Sequence, residues 1–172
     1  MKLLRLILVA FVPVFLPACG SQASVQPVIA TGSLDTAEAY LRRGDSYSDI
    51  QDYDRAIADY DQAIRLKPDY AEAYNKRGYA SYWKGEAADA IADYSQAIKL
   101  RPGYAYAYNN RGAAYMASGY PEQAIGDLDR ALELQPDFPQ AFTNRSNAHL
   151  RLGHLGLAFA GFRQGGANPV RK

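Results

Sequence analysis

Three side-chain patterns in this sequence bear on chemistry. Arginine stands 16 residues before aspartate three times, as Arg43 and Asp59, Arg77 and Asp93, and Arg111 and Asp127. Such a pair is either a bidentate ion pair that holds a fold together or half of an anion site. Tyrosine occurs 14 times, all between Tyr40 and Tyr120, dense enough for a surface that stacks sugars or bases. Two histidines, His149 and His154, lie close in sequence, but no carboxylate or thiol accompanies them at ligand spacing. A metal site is therefore not expected. No Ser/His/Asp constellation, glycine-rich phosphate loop or paired acidic group stands out, so neither a catalytic residue nor a cofactor is expected.

The elements that must position these residues are repeated. Pro68, Pro102 and Pro136 are spaced 34 residues apart. The same offset relates Tyr40, Tyr74, Tyr108 and Phe142, then Gly44, Gly78, Gly112 and Ser146. It also relates Ala56, Ala90, Ala124 and Ala158, then Tyr60, Tyr94, Leu128 and Phe162. Within a period, apolar residues such as Ala90, Ile91, Tyr94, Ala97 and Ile98 recur at three- and four-residue steps, one face of a helix. Gly85, Gly119 and Gly153 mark a turn between two helical stretches, and a Leu-X-Pro sequence ends the second, because proline cannot continue a helix. One such hairpin cannot bury its apolar face alone, but stacked neighbours can. In this phase nine tyrosines fall on recurring core positions: Tyr40, Tyr47, Tyr60, Tyr70, Tyr74, Tyr94, Tyr104, Tyr108 and Tyr115. The Arg–Asp spacing places both partners on the paired helices of one hairpin, which favours structural ion pairs over an anion site. In the fourth period Gly161 replaces the aspartate and leaves Arg145 unexplained.

These positions resemble the consensus of the tetratricopeptide-repeat (TPR) family, with repeats at 37–70, 71–104 and 105–138 and a partial one at 139–168. The resemblance implies an all-α fold over residues 36–168, a right-handed α-α superhelix of helix-turn-helix repeats with a short last helix. It also implies a concave groove lined by the first helix of each repeat. Steps of about 100° per residue put Asn75, Lys76, Tyr79, Tyr82 and Trp83 on that face. The equivalent positions bring Tyr106, Asn109, Asn110 and Met116, then Asn144 and Asn147. Asparagine amides offer donors and acceptors to a peptide backbone, and the aromatic side chains add contact area. Some members clamp a C-terminal carboxylate with lysine and asparagine. The matching positions here hold Leu41, Asp45, Lys76, Tyr106 and Asn110, so no clamp is expected.

Net charge over the 172 residues is +1, which gives no bulk attraction to nucleic acid. The single cysteine, Cys19, excludes an internal disulfide framework. Met1–Arg5 is basic and Leu6–Leu16 apolar, too short for a span of about 20 residues. Leu16-Pro17-Ala18-Cys19 resembles the lipobox of bacterial lipoproteins. That implies a signal peptide over residues 1–18, acylation of Cys19 and a flexible tether to residue 35. With Gly20 after the cysteine, it further implies a periplasm-facing position on the outer membrane. At the other end, Leu155, Leu157, Phe159 and Phe162 crowd a helix that Gly161, Gly165 and Gly166 should fray, with residues 169–172 as a tail. The function implied is a lipid-anchored adaptor presenting its groove to an envelope protein or peptide. One alternative is a self-associating structural protein, a homodimer through Leu155, Phe159 and Phe162. Another is an enzyme or sugar-binding module using the groove tyrosines, which would need an acid–base pair that the sequence does not supply.

Overall fold

The computed structural model of the protein describes residues 36–166. Cys19, the lipobox, the tether and the tail at 169–172 lie outside the described residues. Eight helices follow in order: α1 (Ala37–Asp49), α2 (Tyr53–Leu66), α3 (Ala71–Trp83), α4 (Ala87–Leu100), α5 (Ala105–Ala117), α6 (Pro121–Leu134), α7 (Pro139–Arg151) and α8 (Leu155–Gly166). No strand occurs among the described residues. Each odd helix packs on the even helix that follows, and each even helix packs on the next odd one, so four hairpins stack into the α-α superhelix that the period implies.

Small residues let the helices approach. Ala73, Ala80, Ala90, Ala97, Ala107, Ala114, Ala124, Ala131, Ala141, Ala148 and Ala158 are all fully buried. A Cβ at Gly44 would stand 2.6 Å from the Tyr60 ring, and one at Gly112 would stand 2.9 Å from Leu128 Cγ. Glycine at this position is what allows a large side chain opposite. The fourth hairpin solves the same contact in reverse. Ser146 fills the glycine position and donates to the Phe142 carbonyl at 2.8 Å, while Gly161 across from it leaves room for the hydroxyl.

The turn inside each hairpin needs one left-handed residue, at φ 87° in Gly85, 83° in Gly119 and 77° in Gly153. Gln51 takes the equivalent place in the first hairpin at φ 61°. Thr36 and Asp52 cap α1 and α2, accepting from the Ala39 and Arg55 amides at 3.1 and 3.2 Å. Proline opens α6 and α7, where its missing N–H costs nothing.

The expected fraying of the last helix is corrected. α8 runs through Gly165 to Gly166, nearly as long as its counterparts. A Cβ at Gly165 would meet Phe142 Cβ at 3.0 Å and the Pro139 carbonyl at 3.1 Å. The glycine that weakens an isolated helix here brings α8 close onto α7, and tertiary packing overrides propensity.

Candidate functional site

The inner faces of α3, α5 and α7 form the floor and walls of a concave pocket. A chain of amides runs along the floor. Asn144 Nδ2 donates to Asn109 Oδ1 at 3.0 Å, Asn109 Nδ2 to Asn110 Oδ1 at 3.2 Å, and Asn110 Nδ2 to Asn75 Oδ1 at 3.2 Å. Two of these bonds cross between neighbouring repeats. This arrangement corrects part of the expectation from helix geometry. Asn75, 9% exposed, lies off the pocket and ties the repeats together, whereas Asn109, 7% exposed, does so while still lining the pocket. Asn110 and Asn144, half-buried, present the remaining amide valences.

The wall is aromatic. Tyr79 and Tyr82 both meet Trp83 edge-on, with ring centroids 6.1 and 5.7 Å away. Together with the asparagines, Gln140 and Thr143, they enclose about 470 Å³. Among the described residues, no lining side chain carries a charge. Beside it, Tyr82, Met116, Asn144 and Asn147 line a smaller recess closed by Arg151, whose Nη1 donates to the Met116 carbonyl at 3.0 Å. Tyr106 does not line either pocket. It packs on Phe138 with centroids 4.9 Å apart, because its position at the start of α5 faces the next turn between repeats. Lys76 lies toward the other end, held by Asp45 at 3.1 Å and Glu72 at 3.6 Å, so its charge is already matched. Tyr60 donates to the same Asp45 at 2.9 Å, and burial first, then that carboxylate, pushes its phenol far up.

The arginines lie away from the pocket and hold the hairpins. Arg43 donates to Asp59 through Nε and Nη2 at 2.6 and 2.5 Å. Arg77 does so to Asp93 at 2.8 and 2.6 Å, and Arg111 to Asp127 at 2.7 and 2.7 Å. Bidentate contact to Asp93 raises the Arg77 pKa, and Asp127 raises that of Arg111. Burial pushes the Asp93 carboxyl up, against the lowering pull of Arg77.

A second set of contacts escaped the sequence reading. The free nitrogen of each inner arginine reaches back to the previous hairpin. Arg77 Nη1 donates to Asp61 at 2.6 Å, Arg111 Nη1 to Ser95 Oγ at 3.0 Å, and Arg145 Nη1 to Asp129 at 2.7 Å. Arg145, which lost its own-hairpin aspartate to Gly161, is explained by this backward bond. The signal was present, since Asp61, Ser95 and Asp129 stand 16 residues before the arginines and 34 apart.

His149 Nδ1 is buried without a partner among the described residues, and its ring lies 5.7 Å from that of His154. Burial and the neighbouring His154 lower its pKa. Among the described residues, no group of three or more His, Cys, Asp or Glu side chains could hold a metal ion.

Comparison with known proteins agrees with the helical-repeat fold. The chain matches the family described as TPR repeat over residues 44–85 and 78–119, and the one described as tetratricopeptide repeat over residues 105–138. No curated protein matches it. Among solved structures it is similar to MamA, with 29% identity, a TM-score of 0.70 and 75% of each chain covered. It is also similar to the first TPR of Spaghetti (RPAP3) bound to the HSP90 peptide SRMEEVD. There the identity is 29%, the TM-score 0.67, and the match covers 69% of this chain and 94% of that one. MamA 41-end from Desulfovibrio magneticus RS-1 shares the fold at 21% identity and a TM-score of 0.69, covering 75% of this chain and 73% of its own.

Proposed function

The chain belongs to the tetratricopeptide-repeat family, and on that premise we propose that it is an adaptor whose concave pocket binds an uncharged segment of an envelope protein. TPR repeats bind proteins, and the similar RPAP3 domain holds a peptide. The single observation that carries the finer reading is the charge-free pocket, with aromatic walls from Tyr79, Tyr82 and Trp83 over an amide floor. The RPAP3 peptide ends in two glutamates, a valine and an aspartate. Here Lys76 is neutralised by Asp45 and Glu72, and the described residues that line the pocket offer no cation to an acidic end. An internal segment suits it better, with an apolar or aromatic side chain against Trp83 and its backbone on Asn110 and Asn144. Aromatic anchors and desolvated amides are the contacts that dominate small interfaces.

The same reading places the protein on the periplasmic side of the outer membrane through an acyl group on Cys19. The support is the Leu16–Cys19 sequence and the residues between it and α1. Mass spectrometry of the membrane fraction should find the mature N-terminus at Cys19. A different N-terminus, or membrane release unchanged by Cys19→Ala, would remove the anchor from the proposal. For the pocket, a photo-crosslinking residue at Tyr82 should capture one discrete partner in intact envelopes, while the same probe at Lys99 on α4 should not. Tyr79→Ala and Asn110→Ala should abolish capture by a probe at Trp83. Equal capture at both positions would count against the pocket as the binding site.

A further inference from the structure

The exposed end of the stack makes a second, chemically different surface. At every inner joint, the even helix presents one face to the first helix of the next hairpin. Ile57, Ile91 and Ile125 lie on that face in α2, α4 and α6, packed against the core, and Tyr60, Tyr94 and Leu128 lie beside them fully buried. In α8 the same register holds Phe159 and Phe162. No described element packs on them from outside. Phe159 is 61% exposed and Leu155 56%, and Phe162 is only half-buried where its counterparts are sealed.

Charge says what this face accepts. At each inner joint the incoming helix carries an arginine, and the even helix answers it with Asp61, Ser95 or Asp129 at 2.6, 3.0 or 2.7 Å. The residue at that register in α8 is Arg163, exposed and outside every ion pair of the described residues. Residues 36–137 carry 17 acidic and 12 basic side chains, whereas residues 138–172 carry five basic and no acidic ones.

We propose that the outer face of α8 is a docking site for an amphipathic helix from another protein, one that carries a carboxylate where Arg77, Arg111 and Arg145 stand in this chain. Such a helix lays its apolar side on Leu155, Phe159 and Phe162 and pairs its acid with Arg163. A second copy of this chain is the wrong occupant. Among the described residues, its only helix with an unstacked leading face is α1, which would bring Arg43 against Arg163. Like charges at the register where every other joint has an acceptor reject self-stacking while leaving the apolar face open.

The probe is a labelled peptide of residues 71–84 with Arg77→Glu, which already has the shape of an incoming helix. It is titrated against the full chain by fluorescence anisotropy, beside the same peptide with Arg77 kept. A helix this short is marginal alone, so binding is weak and the fold-change is the readout. The peptide carrying R77E should bind at least about 10-fold tighter than the unsubstituted one, each tenfold being about 1.4 kcal/mol. Arg163→Glu in the chain should reverse that preference, Phe159→Asp should abolish binding of either peptide, and Tyr82→Ala in the concave pocket should change nothing. Charge-independent binding overturns the proposal, as does concentration-dependent dimerisation of the native chain by light scattering that Phe159→Asp removes. Phe159-dependent binding to phosphatidylglycerol vesicles, with no peptide selectivity, makes the face a lipid contact and equally overturns it.

Discussion

Arg77 and Arg111 each serve two neighbouring helices at once, and that double use sets the cost of losing a partner. Removing a buried carboxylate leaves its cation to find other acceptors, and the penalty depends on what remains. Asp93→Ala leaves Arg77 with Asp61, still an ion pair. Asp127→Ala leaves Arg111 with only the Ser95 hydroxyl. The second substitution should therefore destabilise more, by about 2–3 kcal/mol against about 1–2 kcal/mol for the first. Urea melts of both variants measure this, and the reverse order would show that the backward bond carries no weight. His149 offers a pH test at the same scale. Its folded pKa lies below the ordinary value of 6.5, so the fold accommodates the neutral ring and resists the charged one. The stability it contributes is whole above that value and drains as the pH falls through it toward the lowered one. The melting temperature should drop between pH 7 and pH 5, and His149→Gln should flatten the slope. Parallel slopes for the two proteins would clear His149 of the effect.

Elements repeat here, so departures from the pattern act as internal experiments. Three hairpin turns use glycine at positive φ and the first uses Gln51 at φ 61°. A side chain in that region costs about 1–2 kcal/mol per residue, partly offset by the greater entropy that glycine loses on folding. Gln51→Gly should be neutral to stabilising by about 1 kcal/mol, while Gly119→Ala should destabilise by about 1 kcal/mol. Thermal melts decide it, and a destabilising Gln51→Gly would mean that the side chain makes contacts which outweigh its backbone. The same regularity explains what could be read in advance. The 34-residue offset marks the hairpins, the turn glycines and the Arg–Asp pairs, because each is a short-range consequence of one repeat's own residues. Helix steps alone also brought Tyr79, Tyr82, Trp83 and Asn110 to one concave face. What it could not give was the competition between repeats. Asn75 and Asn109 are spent on bonds to the neighbouring first helix, Lys76 is spent on Asp45, and Gly165 stays helical because α7 is near. The first three depend on distances between repeats that no single period contains, and the last on how closely α8 packs on α7 within one hairpin.

The molecule as a whole is a stack whose stability is close to a sum of hairpins and joints. The three inner joints share the same alanine packing but differ in one bond. Arg77 meets Asp61 and Arg145 meets Asp129 as ion pairs, whereas Arg111 meets the neutral Ser95. The joint between α4 and α5 is thus the one whose backward bond is not an ion pair, and it lies at the centre of the stack. Ser95→Asp would restore the pattern. The new carboxylate would stand where Asp61 and Asp129 stand, both about half exposed, so its gain is that of a partly solvated pair. An increase of about 0.5–1 kcal/mol is expected, with Arg111 still bound to Asp127. The loss of the Ser95 bond to the Ile91 carbonyl costs little, since that carbonyl is already within helix α4. The urea midpoint should rise with an unchanged slope, because the surface exposed on unfolding is the same. Arg111→Lys measured beside it should cancel the gain, since lysine cannot reach both aspartates in a fork. A fall in the midpoint on Ser95→Asp would mean that desolvation outweighs the pairing, and that the central joint is neutral because a second carboxylate beside Asp127 cannot be satisfied there.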